Sequence, residues 1–152
     1  MPDDPIPHLE YENMVFGRHQ ALFTGRTTQE GGPLDQSAYV LLSLLRASGP
    51  ASISELSAVT GLDASTLNRQ TAALLRKGYA ERIPDPEGGI ARKFRNSTVG
   101  DEVLDEVRAA TREKLAEILE DWSAGELATF TDLLGKMNRA IEKRTGRPWP
   151  RP

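Results

Sequence analysis

Residues 63–77 carry side chains that can read the edges of DNA bases. On a helix, which turns by about 100° per residue, the inward side of this segment holds Leu67, Thr71, Leu74 and Leu75. The outward side and its edges carry hydrogen-bonding residues, namely Ser65, Thr66, Asn68, Arg69, Gln70 and Arg76. Arginine donates twice to a guanine edge and asparagine pairs with adenine, so these residues are candidates for contact with a major groove. A polar helix that contacts proteins would have a similar surface, and this alternative stays open.

The residues before this segment can present it. Ser52 and Glu55 predict a capping box, in which each side chain binds the other residue's backbone N–H. Gly61 favours the left-handed conformation of a helix C-cap, and Asp63 predicts the N-cap of the next helix. Two short helices joined by such a tight turn form a helix-turn-helix. Ser54, at the positive end of the first helix, is a candidate for phosphate contact, although a structural role alone would also explain it.

A β-hairpin is predicted directly after the helix-turn-helix. Residues 79–83 and 90–95 read as strands, and the run rich in Pro and Gly between them predicts a turn. A hairpin in this position is the wing of a winged helix. Arg92 lies close to the turn and is a candidate for contact with a minor groove or its phosphates. Lys93 and Arg95 lie on the flanking strand, where they serve either DNA binding or solubility.

The charge of the chain is unevenly distributed. Residues 62–96 contain seven basic and four acidic side chains, so this segment carries a charge of +3. The rest of the chain carries −6, which gives the net charge of −3. A local basic patch is typical of nucleic-acid binding, although an ordinary solvated surface would also account for it.

The composition excludes several classes of function. The chain has no cysteine and only two histidines, so disulfides, thiolate metal sites and cysteine redox sensing are ruled out and a histidine-based triad is disfavoured. There is no nucleophile–base pair, phosphate-binding loop or metal spacing, so we expect no cofactor, no metal and no enzymatic activity. No apolar run approaches the ~20 residues of a membrane span, and the acidic N-terminus lacks a signal-peptide pattern. A cytoplasmic location is therefore expected.

The pattern as a whole predicts a mainly α fold with one small β-hairpin wing. We divide it into residues 1–33, an N-terminal dimerisation helix and loop, residues 34–96, the winged helix-turn-helix lobe, and residues 97–152, two C-terminal dimerisation helices. Ser123 and Glu126 predict a capping box at the start of the last helix. The apolar stripes of these helices exceed the needs of a small core. They pack within the chain or, as we favour, against a second copy.

The ordered set of motifs resembles the MarR family of bacterial transcriptional regulators. Residues 54–67 look like the two DNA-binding helices of that family, residues 74–82 resemble the end of its recognition helix with the first wing strand, and residues 85–89 are similar to its wing turn. The resemblance implies a winged-helix homodimer that binds a pseudo-palindromic operator in double-stranded DNA. It further implies a repressor that releases DNA when a small phenolic or lipophilic ligand binds.

The resemblance also implies a ligand pocket between the dimerisation helices and the DNA-binding lobe. Five residues are candidates to line it by position, although each also suits an ordinary core or interface position: Tyr11, Phe16, His19, Phe23 and Tyr39. His19 is the candidate for a pH- or ligand-responsive hydrogen-bond donor.

The wing departs from the pattern of the family, which continues its turn with Asp-Gly-Arg. This chain has Gly88, Gly89 and Ile90 at the matching positions, and Arg92 is the candidate to replace the missing arginine. The departure leaves a second function open, a winged-helix module for protein interaction that has lost strong DNA binding.

Overall fold

The chain folds into helices with one small antiparallel hairpin, as predicted. The computed structural model describes residues 4–23 and 34–151, with the side chains of residues 21–23 outside that description. The loop predicted over residues 24–33 and the side chain of Phe23 therefore lie outside the described residues. The elements in chain order are α1 (Ile6–Phe23), α2 (Gln36–Ser48), α3 (Ile53–Thr60), α4 (Ala64–Arg76), β1 (Ala80–Ile83), β2 (Lys93–Asn96), α5 (Thr98–Ile118) and α6 (Ala124–Thr145).

Helices α2 to α6 begin at side chains that accept a hydrogen bond from the backbone N–H three residues on, and these caps are Asp35, Ser52, Asp63, Ser97 and Ser123. The capping box of Ser123 and Glu126 is complete, as predicted. The box predicted at Ser52 is only half formed. The Ser52 hydroxyl accepts from the Glu55 N–H at 3.2 Å, but the Glu55 carboxylate binds Lys93 of the hairpin. A full opposite charge is a stronger partner for a carboxylate than a backbone N–H.

One hydrophobic core lies between α2, α3, α4, the hairpin and the first half of α5. We call this unit the lobe. Its buried members come almost entirely from residues 34–94, and α5 adds two more. The larger buried side chains are Leu34, Leu41, Leu42, Leu44, Leu45, Leu56, Leu67, Leu74, Phe94, Leu104 and Val107.

The hairpin joins the lobe through a third strand segment that sequence reasoning missed. Phe94 of β2 exchanges both backbone hydrogen bonds with Ala51, at 3.0 and 2.8 Å, so the residues just before α3 pair with the wing. β2 begins at Lys93 rather than at Ile90 as predicted. Pro84, which follows β1, has no N–H with which to extend the ladder further.

Helix α5 leaves the lobe in a direction that close backbone packing fixes. The Ser97 N–H donates to the Tyr79 carbonyl at 3.0 Å, and the Ser97 hydroxyl donates to the Gly78 carbonyl. Gly100 passes so near to Tyr79 that a Cβ at position 100 would overlap the Tyr79 carbonyl oxygen. The first turn of α5 therefore has no room for any side chain at this point.

The helices outside the lobe are α1, the second half of α5 and α6, which we call the arms. No side chain of α6 is buried, and none is buried in the described part of α1. No helix in the described ranges has both the length and the apolar character needed to cross a membrane. The arms nevertheless expose many large hydrophobic side chains, namely Ile6, Leu9, Tyr11, Met14, Ile118, Phe130, Leu133, Met137 and Ile141, as does the turn between α5 and α6 at Trp122.

The C-terminal tail after α6 returns to the lobe. Trp149 packs against the hydrophobic core, and the guanidinium of Arg147 lies directly over Gly61, in the turn between α3 and α4. Arg151 forms a two-pronged ion pair with Glu142 of α6. These contacts hold the end of α6 beside the helix-turn-helix.

Candidate nucleic-acid interface

The outward face of α4 presents most of the predicted base-contacting side chains to solvent. Thr66 and Gln70 are half-buried, and the exposed members are Ser65, Asn68, Arg69 and Arg76. On the opposite face, Leu67, Thr71 and Leu74 are buried and Leu75 is half-buried, as the inward face was predicted to be. The core therefore fixes the rotation of α4 about its own axis, and with it the set of side chains that point outward.

Arg69 is the cation nearest the N-terminal end of this face. Its Nη2 donates to Thr66 Oγ1 at 3.4 Å, which is a long hydrogen bond. Arg69 forms no salt bridge with any carboxylate in the described ranges. Its guanidinium therefore keeps N–H donors that a guanine edge or a phosphate can use.

The N-terminus of α4 is organised by the Asp63 carboxylate. Asp63 Oδ1 accepts from the Thr66 N–H at 2.7 Å and from the Ser65 hydroxyl at 2.9 Å. The Thr66 N–H is the main reason that the pKa of Asp63 lies below its ordinary value, so the carboxylate stays ionised. Because the Ser65 hydroxyl donates its proton within this cap, Ser65 offers DNA chiefly its acceptor lone pairs.

Gln70 differs from its neighbours. Its Oε1 is buried and has no hydrogen-bond partner in the described part of the chain. The acceptor of this amide thus faces protein rather than solvent, and Gln70 is the predicted contact least available to a base.

Two further predicted contacts, Ser54 and Arg92, lie outside α4. Ser52 is buried and caps α3, whereas Ser54 is exposed in the first turn of that helix. Arg92 is exposed in the wing and forms no ion pair with another described residue. Both side chains are therefore available for contact with a phosphate backbone.

The basic patch divides into paired and unpaired cations. Lys93 lies 2.8 Å from Glu55 and 3.7 Å from Asp85, and Arg95 lies 3.0 Å from Glu81. The other basic residues of the patch form no salt bridge with a described carboxylate, and these are Arg69, Arg76, Lys77, Arg82 and Arg92. The charge available to an anionic partner therefore resides on α4 and the wing.

The predicted ligand contacts do not converge on one cavity. Phe16 lines an apolar groove between α1 and α6, while Tyr11 and His19 are exposed on α1 and lie outside the groove. The helical period turns Tyr11 away from the groove, whereas His19 shares the side of Phe16 and lies about one turn beyond it. Tyr39 of α2 packs against the lobe core instead. Sequence reasoning missed the other groove residues, which include Leu9, Asn13, Phe130, Leu133, Leu134 and Met137.

An ion-pair network that sequence reasoning also missed connects α2 to α5. Arg46 donates to the Asp101 carboxylate at 3.2 Å, to the Asp101 carbonyl at 2.7 Å and to the Asp105 carboxylate. Asn96 donates to the Asp101 carboxylate at 2.8 Å and to the Leu42 carbonyl at 2.9 Å. The hydrogen bond from Arg46 holds the pKa of Asp105 below its ordinary value. The network fixes the direction of α5 relative to the lobe.

Comparison with known proteins identifies the family. The family model described as MarR matches residues 34–88. The chain is 35% identical over 138 residues to an uncharacterized HTH-type transcriptional regulator, YxaD, of Bacillus subtilis (strain 168), which covers 91% of this chain and 96% of that protein. The chain belongs to the MarR family. The residues that the model matches run from α2 to the wing turn, so they lie in the lobe rather than in the arms.

Solved structures share the MarR fold over the arms as well as the lobe. A mutant of MarR from E. coli complexed with operator DNA superimposes with a TM-score of 0.66 at 22% identity, over 87% of this chain and 94% of that chain. The PcaV transcriptional regulator from Streptomyces coelicolor, in complex with its natural ligand, gives a TM-score of 0.65 at 22% identity, over 93% and 99%.

The wing turn is closed by Asp85. Asp85, the first acidic residue of the turn, accepts the Glu87 N–H at 2.9 Å, and its carboxylate fills the space beside Gly89. A Cβ at position 89 would overlap that carboxylate. Gly88 has a φ of 82°, a conformation that favours glycine. The two glycines thus serve a turn that Asp85 closes.

Proposed function

We propose that this MarR-family protein is a homodimeric repressor of transcription that binds a pseudo-palindromic DNA site. The observation that carries the proposal is the outward face of α4, where Arg69 and Arg76 are exposed and have no carboxylate partner among the described residues. Ser65, Thr66 and Asn68 supply hydrogen bonds to base edges, with Gln70 at the margin. Ser54 and Arg92 contact phosphates on either side of this face.

A second copy of the chain covers the arms. Leu9, Phe130 and Leu133 are 53%, 42% and 58% exposed, so large apolar side chains of the arms face solvent in the single chain. Surfaces of this kind mark protein interfaces. In a twofold dimer, the two α4 helices would lie about 34 Å apart and enter successive major grooves. Residues 1–33 and 97–152 then form the dimerisation part, although the core extends the lobe beyond residue 96 to Val107.

The groove between α1 and α6 supports the proposal of a small effector, which would share this apolar surface with the second copy. Its walls are mostly apolar and include the aromatic side chains of Phe16 and Phe130. That composition suits an aromatic or lipophilic molecule. The structural relative PcaV is described in complex with its natural ligand. An effector in this groove weakens DNA binding only if it favours a separation of the α4 helices that does not fit the duplex.

Selection of bound fragments from random and genomic DNA tests the proposal. We expect a twofold-symmetric site whose half-sites are about 10 base pairs apart, bound with an affinity that falls steeply as salt rises. Light scattering on the same sample should give the mass of a dimer. Failure to enrich any fragment, with no salt-dependent binding, would instead favour the module for protein interaction.

A further inference from the structure

The wing rests on an ion-pair cluster centred on Lys93. The Lys93 ammonium lies 2.8 Å from a carboxylate oxygen of Glu55 and 3.7 Å from one of Asp85. The side chain of Lys93 is only 13% exposed, as is that of Asp85. These residues come from three places, namely the first turn of α3, the wing turn and β2. The cluster therefore spans the boundary between the helix-turn-helix and the wing.

Arg92 is coupled to Lys93 through the backbone. It immediately precedes Lys93, the first residue of β2, and it is exposed in the structure. Because Glu55 and Asp85 hold the Lys93 ammonium, the stretch of wing backbone that carries Arg92 is held as well.

We propose that Lys93 is a positioning residue that sets the wing against α3 and thereby aims Arg92 at DNA. This inference rests on the proposed function, because it assumes that Arg92 contacts the operator. Lys93 supplies the anchorage of the wing in a chain that has Gly88 and Ile90 where the MarR pattern has an acid and an arginine. Lys93 itself contacts protein carboxylates rather than DNA.

The charges of the cluster predict which substitution has the larger effect. Two carboxylates, Glu55 and Asp85, share one ammonium. Lys93→Met, which keeps the length of the side chain, would leave the two carboxylates facing each other without a cation, and their repulsion would push the wing away from α3. Glu55→Gln removes one carboxylate and leaves Lys93 with Asp85, so its effect should be smaller. Lys93→Arg keeps the charge and should retain the anchorage.

Operator titrations at several salt concentrations test the inference. Arg92→Ala should reduce the slope of log affinity against log salt concentration by about 1, the value for one lost phosphate contact. Lys93→Met should give the same loss, and adding Arg92→Ala to Lys93→Met should have little further effect. Lys93→Arg should behave like the unchanged protein. Base preference at the positions contacted by α4 should be the same in all variants.

A measurement without DNA complements these titrations. Trypsin cleaves after Arg92 only when the wing backbone is accessible, so Lys93→Met should accelerate that cleavage severalfold, Glu55→Gln less, and Lys93→Arg not at all. Thermal unfolding verifies that each variant is folded. If Lys93→Met does not fold, the smaller increase in cleavage expected for Glu55→Gln still tests the inference.

The outcomes separate this inference from the proposed function. If Arg92→Ala weakens binding but Lys93→Met changes neither the salt slope nor the cleavage rate, the anchoring role is wrong and the proposed function stands. If Arg92→Ala has no effect, both the aiming of Arg92 and this inference fall, while the role of α4 is unaffected. Additive losses from the two substitutions would show that Lys93 acts independently of Arg92 and would overturn the inference.

Discussion

The lobe and the arms differ in how much of their apolar surface they bury within the chain. In the lobe, short helices and a hairpin enclose side chains such as Leu42, Leu67 and Leu104, which are almost completely buried. In the arms, α6 is 22 residues long and buries none of its side chains within the chain. The same kinds of residue, leucine and phenylalanine, are inside in one region and outside in the other. The lobe thus encloses its own apolar core, whereas the arms leave apolar side chains exposed, which is the surface that the proposed dimer would cover.

The largest expected effect is on the arms. Leu133→Asp places a charge on the face that we propose a second copy covers, and twofold symmetry introduces that charge twice. Light scattering should show a monomer at concentrations where the unchanged protein is a dimer, and operator affinity should fall by more than tenfold. Far-ultraviolet circular dichroism should change little, since the lobe keeps its core.

Ile90→Asp is the matched control for this substitution. Ile90 in the wing is likewise an exposed apolar residue, but it belongs to the lobe rather than to the arms. The control should leave the dimer intact. A dimeric Leu133→Asp variant would contradict the proposed interface.

The next largest effect is on the free energy of unfolding, and it is tested at one glycine of the lobe and one of the arms. Gly100→Ala places a methyl group on the Tyr79 carbonyl oxygen and should lower the free energy of unfolding by about 1–3 kcal/mol. Gly17→Ala, in α1, meets nothing within 4 Å and should raise that free energy by about 0.5–1 kcal/mol, because alanine restricts the unfolded chain. Urea unfolding at one fixed protein concentration measures both. Equal effects at the two sites would mean that the backbone contact at Gly100 is not tight.

The outward face of α4 should respond to substitution without any loss of fold. Arg69→Ala is expected to weaken specific DNA binding by about 1–3 kcal/mol and to relax the base preference at one position in each half-site. Arg95→Ala is the control, because Arg95 is paired with Glu81 at 3.0 Å and should contribute little. Fluorescence anisotropy with the selected operator gives both values. Unchanged affinity in Arg69→Ala would remove this residue from the interface.

The smallest effect is a pH dependence at the start of α2. The Ala38 N–H is the main reason that the pKa of Asp35 lies below its ordinary value. A lowered carboxyl pKa stabilises the fold above the unfolded value, about 3.9, and this contribution is lost as pH falls through the folded value. Asp35→Ala should cost about 1 kcal/mol at neutral pH. Asp35→Asn caps without titrating, so acid unfolding curves should show a smaller loss below pH ~4 for that variant.

The sequence predicted the elements whose signals are local. Gly61 and Asp63 mark the helix-turn-helix because capping depends on neighbours within a few residues, and the rotation of α4 follows from the spacing of Leu67, Thr71 and Leu74. The contacts that the sequence did not indicate are all distant in the chain. Ala51 pairs with Phe94, and Glu55 leaves its cap for Lys93, because hairpin and helix meet only in the folded chain.

In the candidate site, too, local features were predictable from the sequence and contacts between distant elements were not. The exposed side chains of α4 were predictable from one helix, but the candidate ligand residues were drawn from separate helices. Tyr39 was assigned to a pocket by its position in the chain, whereas its neighbours on α2 turn it toward the lobe core. The groove walls on α6 required knowledge of where α6 lies relative to α1.

The contact between Arg147 and Gly61 brings the tail after α6 back to the helix-turn-helix. Helix α5 departs from the lobe, α6 comes back, and the tail touches the turn that leads into α4. The tail after α6 is therefore joined to the turn that leads into α4 by a direct side-chain contact, so the tail belongs to the lobe although α6 belongs to the arms.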